Sequence, residues 1–263
     1  MTATGEHTVD HDGRETAYRT VAGAAAGPTT LYVHGSGGDR RLWSYQYAPR
    51  GPAHPAVALD LSGHGASDDV DLPAGPETLA AYVADVRAVA RATGASVFVG
   101  NSLGGAVLLR SVLDGALDPS AVVLAGTGAK LAVHEQLRDA LADDFGAALD
   151  LLHGPDRLFH DADETLVGRS RAAMAETGRA VTERDFLTCH AFDVRGELDT
   201  VPCSALALVG EHDTLTPVAY HEYLAERLPD CRLSVIDDAA HLAMLERPGA
   251  FNDTVAAFLG SVQ

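Results

Sequence analysis

The stretch "VFVGNSLGGAV", residues 97–107, runs from apolar residues through Asn101-Ser102 to a glycine pair and back to apolar residues. A short apolar run that stops at glycine reads as a buried strand, and "LGGAVLLRSVLDG" behind it reads as a helix. Ser102 therefore stands on the turn between them. Gly100, Gly104 and Gly105 remove side chains from the space around it. Such clearing is needed where backbone passes close to backbone, or where another molecule must reach the hydroxyl.

Working outward, "TTLYVHG", "AVALDLS", "AVVLAGT", "SALALVG" and "RLSVIDD" are further short apolar runs, each readable as a buried strand. Helical patterns lie between several of them. In "ETLAAYVADVRAVARAT", Leu79, Val83, Val86 and Val89 share one face, and "PVAYHEYLAERL" and "PGAFNDTVAAFLGS" follow the later strands. Strand and helix in alternation imply α/β architecture, a mostly parallel, doubly wound sheet covered on both faces. At the start, "HTVDHDGRETAYRTV" alternates around Asp12-Gly13 and predicts a hairpin. From 129 to 200 no buried strand is legible, while "HEQLRDALADDFGAALDLL" and "DETLVGRSRAAMAETGRA" read as helical. Residues 1–128 and 201–263 are thus expected to form the core domain, and 129–200 a helical cap inserted into it.

A serine hydroxyl attacks carbonyl carbon only when a base takes its proton, and the base needs a partner to fix its tautomer. Asp213 stands just beyond the strand ending at Gly210, and His241 a few residues beyond the next strand. Each has a plain structural alternative: a turn aspartate, or a loop histidine packed beside Leu242 and Met244. All three at the carboxyl ends of strands, where ligands bind in open α/β sheets, is the arrangement of a catalytic triad. The developing oxyanion needs two donors. "VHGSGG" after the first parallel strand offers the Ser36 N–H, with Gly35 and Gly37 beside it and Gly37 as the substitute donor. The Leu103 N–H is the second candidate.

These segments together resemble the α/β-hydrolase fold family of serine hydrolases, over nearly the whole chain. The carriers are "VHGSGG", "ALDLSGHGASD", "VGNSLGG", "LVGEHDTLTP" and "AAHLAMLERP". Gly100-Asn101-Ser102-Leu103-Gly104 is the G-x-S-x-G nucleophile elbow of that fold, and Ser102, Asp213 and His241 come in its chain order. The resemblance implies that His64 and Ser67 hold their loop together without doing chemistry. Serine rather than aspartate at the elbow argues against epoxide opening and halide displacement. "HGSGG" lacks the proline typical of perhydrolase relatives. The implied activity is hydrolysis of small-to-medium carboxylic esters through an acyl-Ser102 intermediate, with lactone or carbon–carbon bond hydrolysis as alternatives on the same residues. A ligand sensor that keeps the fold without turnover is the alternative from another class.

No cofactor is expected. His153, His160, Asp161 and Asp163 fall close together, but without the spacing of a metal site, and none is expected. In "RDFLTCHAFDV", Phe186 and Phe192 can either fill core or line the substrate pocket; both are candidate substrate-binding residues. Cys189, Cys203 and Cys231 are too few and scattered for a disulfide framework. The polar opening "MTATGEHTVDHDGRET" has neither the basic start nor the apolar core of a secretion signal, and no run is long enough to span a membrane. A cytoplasmic protein acting on a small ester-like molecule is expected, with monomer and dimer both open.

The chain carries 37 acidic and 19 basic residues for a formal charge of −18, which argues against nucleic acid as a partner. Lys130 is the lone lysine. An acidic chain nearly free of lysine resembles proteins of salt-loaded cytoplasm, a halophilic pattern, although a GC-rich genome also favours arginine. Self-repulsion at this charge destabilises the compact state, and at 1 M salt the Debye length falls to about 3 Å. The melting temperature should therefore rise from low salt to molar KCl. A flat or falling series would mark the acidity as incidental.

Overall fold

The computed structural model describes residues 4–23, 27–47 and 54–262. Met1–Ala3 of the polar opening lie outside them. Strands β1 (Thr4–His11) and β2 (Arg14–Val21) make the expected hairpin. Its turn places Asp12 at φ 47° and Gly13 at φ 78°, the left-handed pair that a two-residue hairpin turn requires. Six further strands follow: β3 (Thr29–Val33), β4 (Ala56–Leu59), β5 (Ala95–Asn101), β6 (Ala121–Ala125), β7 (Ser204–Gly210) and β8 (Cys231–Ile236). Their spatial order is β1-β2-β4-β3-β5-β6-β7-β8, parallel from β4 onward. The apolar runs predict this sheet strand for strand.

Helices cover both faces because the inner strands are apolar on both. Phe98, Val122 and Leu124 join one core layer with α2 (Pro76–Thr93), α3 (Leu103–Leu113) and α8 (Val218–Arg227). Val99, Val123 and Leu208 point the other way, toward α1 (Ser44–Tyr47), α9 (Ala243–Glu246) and α10 (Pro248–Leu259), with Trp43 and Phe251 fully buried among them. The hairpin is tied to the first layer by the buried Asp85 of α2. It accepts the Arg14 guanidinium at 2.7 Å and the Ser62 N–H and hydroxyl at 2.8 and 2.7 Å.

Between β6 and β7 stand four α-helices: α4 (Glu135–Asp143), α5 (Phe145–Leu152), α6 (Glu164–Thr177) and α7 (Arg179–Ala191). The run 134–152, continuous in pattern, breaks at Asp144. There the backbone is extended, and the carboxylate caps α5 by accepting the Ala147 N–H at 3.1 Å. Helix α7 is a helix that periodicity misses, since its polar Thr182, Asp185 and Thr188 are buried along with its apolar residues. Ala129, Leu131, Val194 and Leu198, at the two ends of this segment, belong to the first core layer.

β3 and β5 are neighbours, with β4 on the far side of β3, so the winding of the chain reverses between them. The loops leaving β3 and β5 therefore flank the crevice where open α/β sheets take ligands.

Candidate active site

Ser102 leaves β5 at φ 53° and ψ −115° and starts α3. This is a sparsely populated conformation for a residue with a side chain. Two glycines make it possible. A Cβ at Gly100 would lie 2.6 Å from the Gly104 carbonyl carbon, and one at Gly104 would collide with the Val33 carbonyl oxygen. Three hydrogen bonds then fix the turn. The Ser102 N–H donates to Ala125 O at 3.0 Å, the Thr127 hydroxyl donates to Ser102 O at 2.8 Å, and the Asn101 amide donates to Ala125 O at 3.2 Å. Asn101 and Thr127 are buried supports that a sequence pattern does not single out.

Asp213 and His241 come together as their positions beyond β7 and β8 imply. The His241 Nδ1–H donates to Asp213 Oδ2 at 2.9 Å, and both residues are buried. Asp213 also accepts the Thr216 hydroxyl and the Leu215 and Thr216 N–H groups, each at 2.8 Å. Burial alone would raise its pKa, but the charge and hydrogen bond of His241 and the Thr216 donors outweigh burial and hold it below the usual carboxylate range. The ring contacts of His241 run through Nδ1, to Asp213 and to Thr216 Oγ1, so Nε2 is unengaged among the described residues. His241 and Ser102 line one cavity of about 810 Å³. No hydrogen bond joins them; contacts of this kind commonly tighten only in the Michaelis complex.

Gly35, Ser36 and Gly37 line the same cavity. The Ser36 and Leu103 N–H groups have no acceptor among the described residues, whereas the Gly37 N–H is taken by Asp185 at 2.9 Å. That rules Gly37 out as the substitute donor. Phe186 lines the cavity, together with Cys189 one turn along α7. Burial pushes the Cys189 thiol up to about 12, so it is no rival nucleophile at neutral pH. Phe192 does not line it. The chain turns extended there at the end of α7, and the ring is buried in the first core layer instead. His64 and Ser67 hold their loop as expected, the Ser67 hydroxyl donating to Asp60 O at 2.7 Å. Among the expected non-ligands, His153 bonds to Leu149 O and Ser170. His160 stacks on His212 at 3.6 Å and pairs with Asp156 on the surface, and these three side chains bring possible metal-ligand atoms within 4.8 Å of one another.

The charge around the cavity is the reverse of that of the chain. Four arginines line it, Arg19, Arg41, Arg157 and Arg169, against two carboxylates, Asp39 and Glu176. Arg41 pairs with both of these, at 2.6 Å each. Arg157 and Arg169 have no acidic partner among the described residues.

A model of the alpha/beta hydrolase family matches residues 31–254, and the chain belongs to that family. It is similar to a pimeloyl-[acyl-carrier protein] methyl ester esterase of Neisseria meningitidis, 29% identical over 83% of this chain and 88% of the relative. A 3-oxoadipate enol-lactonase of Acinetobacter baylyi is 26% identical over 90% of each. Among solved structures, a thermophilic esterase superposes with a TM-score of 0.85 at 30% identity, covering 99% of both chains.

Replacing Asp213 by Asn keeps the shape but presents the wrong hydrogen-bonding partner to His241. kcat should fall by about 10⁴-fold, with a melting temperature close to that of the parent. Near-parental kcat would place the acid elsewhere, with Asp237 and Asp238 next to be tested.

Proposed function

We propose that the protein is a carboxylic-ester hydrolase that works through an acyl-enzyme on Ser102. The observation that carries this reading is the pairing of a buried Asp213–His241 couple with a serine on a strained strand-to-helix turn, both opening on one apolar cavity. Ser102 Oγ attacks the ester carbonyl carbon as its proton passes to His241 Nε2, and Asp213 stabilises the imidazolium that forms. The tetrahedral oxyanion is received by the Ser36 and Leu103 N–H groups, the second of these at the N-terminus of α3. Collapse breaks the bond to the leaving alcohol, which takes the proton from His241. Water, deprotonated by the same nitrogen, then releases the acid and restores Ser102.

Helices α4–α7 serve as the cap of this site, with Leu166, Met174 and Phe186 forming an apolar wall for the acyl or alcohol group. A lactone is a cyclic ester and follows the same route, and the similarity to an enol-lactonase favours it as the second reading. The arginines narrow the substrate class. In a chain of net charge −18, two cavity guanidiniums without acidic partners suit an ester that carries an anionic group of its own.

Monomethyl and dimethyl adipate, which differ by one charge near the far end, test both parts. The wild type should hydrolyse both, with kcat/KM at least about tenfold higher for the monoester, a difference of about 1.4 kcal/mol. Arg157→Gln with Arg169→Gln should bring the two esters level, and Ser102→Ala should abolish turnover of both. No hydrolysis of any ester by the wild type would support the sensor reading. Equal rates in the wild type would remove the anionic preference alone.

A further inference from the structure

Ser36 stands between two peptide planes, and each is held from a different direction. In the Gly35–Ser36 peptide, the carbonyl oxygen accepts the His34 Nδ1–H at 2.9 Å and the Gly38 N–H at 3.2 Å. A trans peptide is planar, so fixing that oxygen directs the Ser36 N–H to the opposite side. In the Ser36–Gly37 peptide, the N–H donates to Asp185 Oδ2 at 2.9 Å. Gly37 is at φ +65°, and a Cβ there would press on Met174 and Thr182 of the inserted helices.

Asp185 does not belong to that loop. It comes from α7, the helix whose Phe186 and Cys189 line the cavity. Its side chain is fully buried and accepts three donors from three other elements. Besides Gly37, these are His64 Nε2–H at 2.9 Å on Oδ2 and the Tyr82 hydroxyl of α2 at 2.6 Å on Oδ1. The His64 Nδ1–H donates to Ser62 O at 3.1 Å, so both ring nitrogens face acceptors, an environment that favours the imidazolium. Burial opposes charge on both partners, but their mutual attraction and hydrogen bonds prevail, raising His64 and lowering Asp185. Its neighbour His34, tilted against it with the ring centroids 4.7 Å apart, is the opposite case. Burial and the His64 charge lower it to about 4, and its Nε2 accepts the Leu61 N–H at 3.0 Å.

We propose that Asp185 is a positioning residue for the oxyanion hole: a carboxylate on the cavity-wall helix that holds the Gly35–Gly37 turn so that the Ser36 N–H, and not the Gly37 N–H, faces the reacting carbonyl. The His64–Tyr82 frame keeps the carboxylate in place and ionised, and the Gly37 contact transmits its position to the loop. The wall that meets the substrate and the donor that meets the oxyanion are thereby parts of one buried network. This rests on the reading of Ser102 and Ser36 given above.

The test separates acceptor from charge. Asp185→Ala removes the acceptor of the Gly37 N–H, and it should lower kcat on an aryl ester about 10- to 100-fold with KM within threefold of the parent. That split is the mark of an interaction used only in the transition state. Asp185→Asn keeps an oxygen for Gly37 and His64 and turns its amide toward the Tyr82 oxygen, so most of the kcat should return although the ion pair is gone. Both variants should melt below the parent. Phe258→Ala, which opens a hole in the opposite core layer away from the cavity, should also lower the melting temperature but leave kcat unchanged. If Asp185→Ala does not accumulate as folded protein, Asp185→Val fills the space and carries the same expectation. A kcat within threefold of the parent in the acceptor-less variant, or a kcat that follows melting temperature across all variants, overturns the proposal. Turnover that survives Ser102→Ala would instead overturn the reading beneath it.

Discussion

The site depends on one backbone conformation, the positive φ at Ser102. Holding a non-glycine residue there costs about 1–3 kcal/mol, and it persists only where its surroundings over-determine it. Here β5 and α3 approach so closely at Gly100 and Gly104 that no side chain fits. The Ala125 carbonyl and the Thr127 hydroxyl then grip the turn from β6. The strain directs Oγ out of the sheet and into the crevice opened by the reversal of winding between β3 and β5. His241, Asp213 and the Ser36 loop are brought to that point by the ends of three other parallel strands.

Much of this is legible in the sequence, because parallel strands buried on both faces must be short apolar runs and each of them ends at a recognisable turn. The Asp12-Gly13 hairpin, the elbow glycines and the aspartate and histidine beyond β7 and β8 all follow from local chemistry. What stays hidden depends on long-range partners. Helix α7 has no clean apolar stripe, since the face it buries carries Thr182, Asp185 and Thr188. Asp185 has meaning only once His64, Tyr82 and Gly37 surround it, across more than a hundred residues of chain. Phe192 illustrates the converse. It looks like Phe186 in sequence, yet the end of α7 at Ala191 sends the two rings to opposite destinations, one core and one cavity wall.

Charge is distributed with similar economy. Two carboxylates beside the candidate site are buried and fully engaged, Asp213 by His241 and Thr216, Asp185 by His64 and Tyr82. Buried carboxylates remain ionised only with such partners. Around the cavity, where the substrate would meet the protein, arginine outnumbers acid although the chain as a whole is strongly acidic. Such a distribution would favour an anionic ligand by local contact rather than by distant attraction.

On the proposed mechanism, Ser102 carries the acyl group during turnover. Mixing the protein with p-nitrophenyl acetate, quenching in acid at early times and mapping the peptides by mass spectrometry tests it directly. One acetyl group is expected, on the peptide containing Ser102, accumulating to a larger fraction when Asp213→Asn slows deacylation more than acylation. Turnover of the ester with no acetylated peptide, or with the acetyl group on another residue, would contradict it.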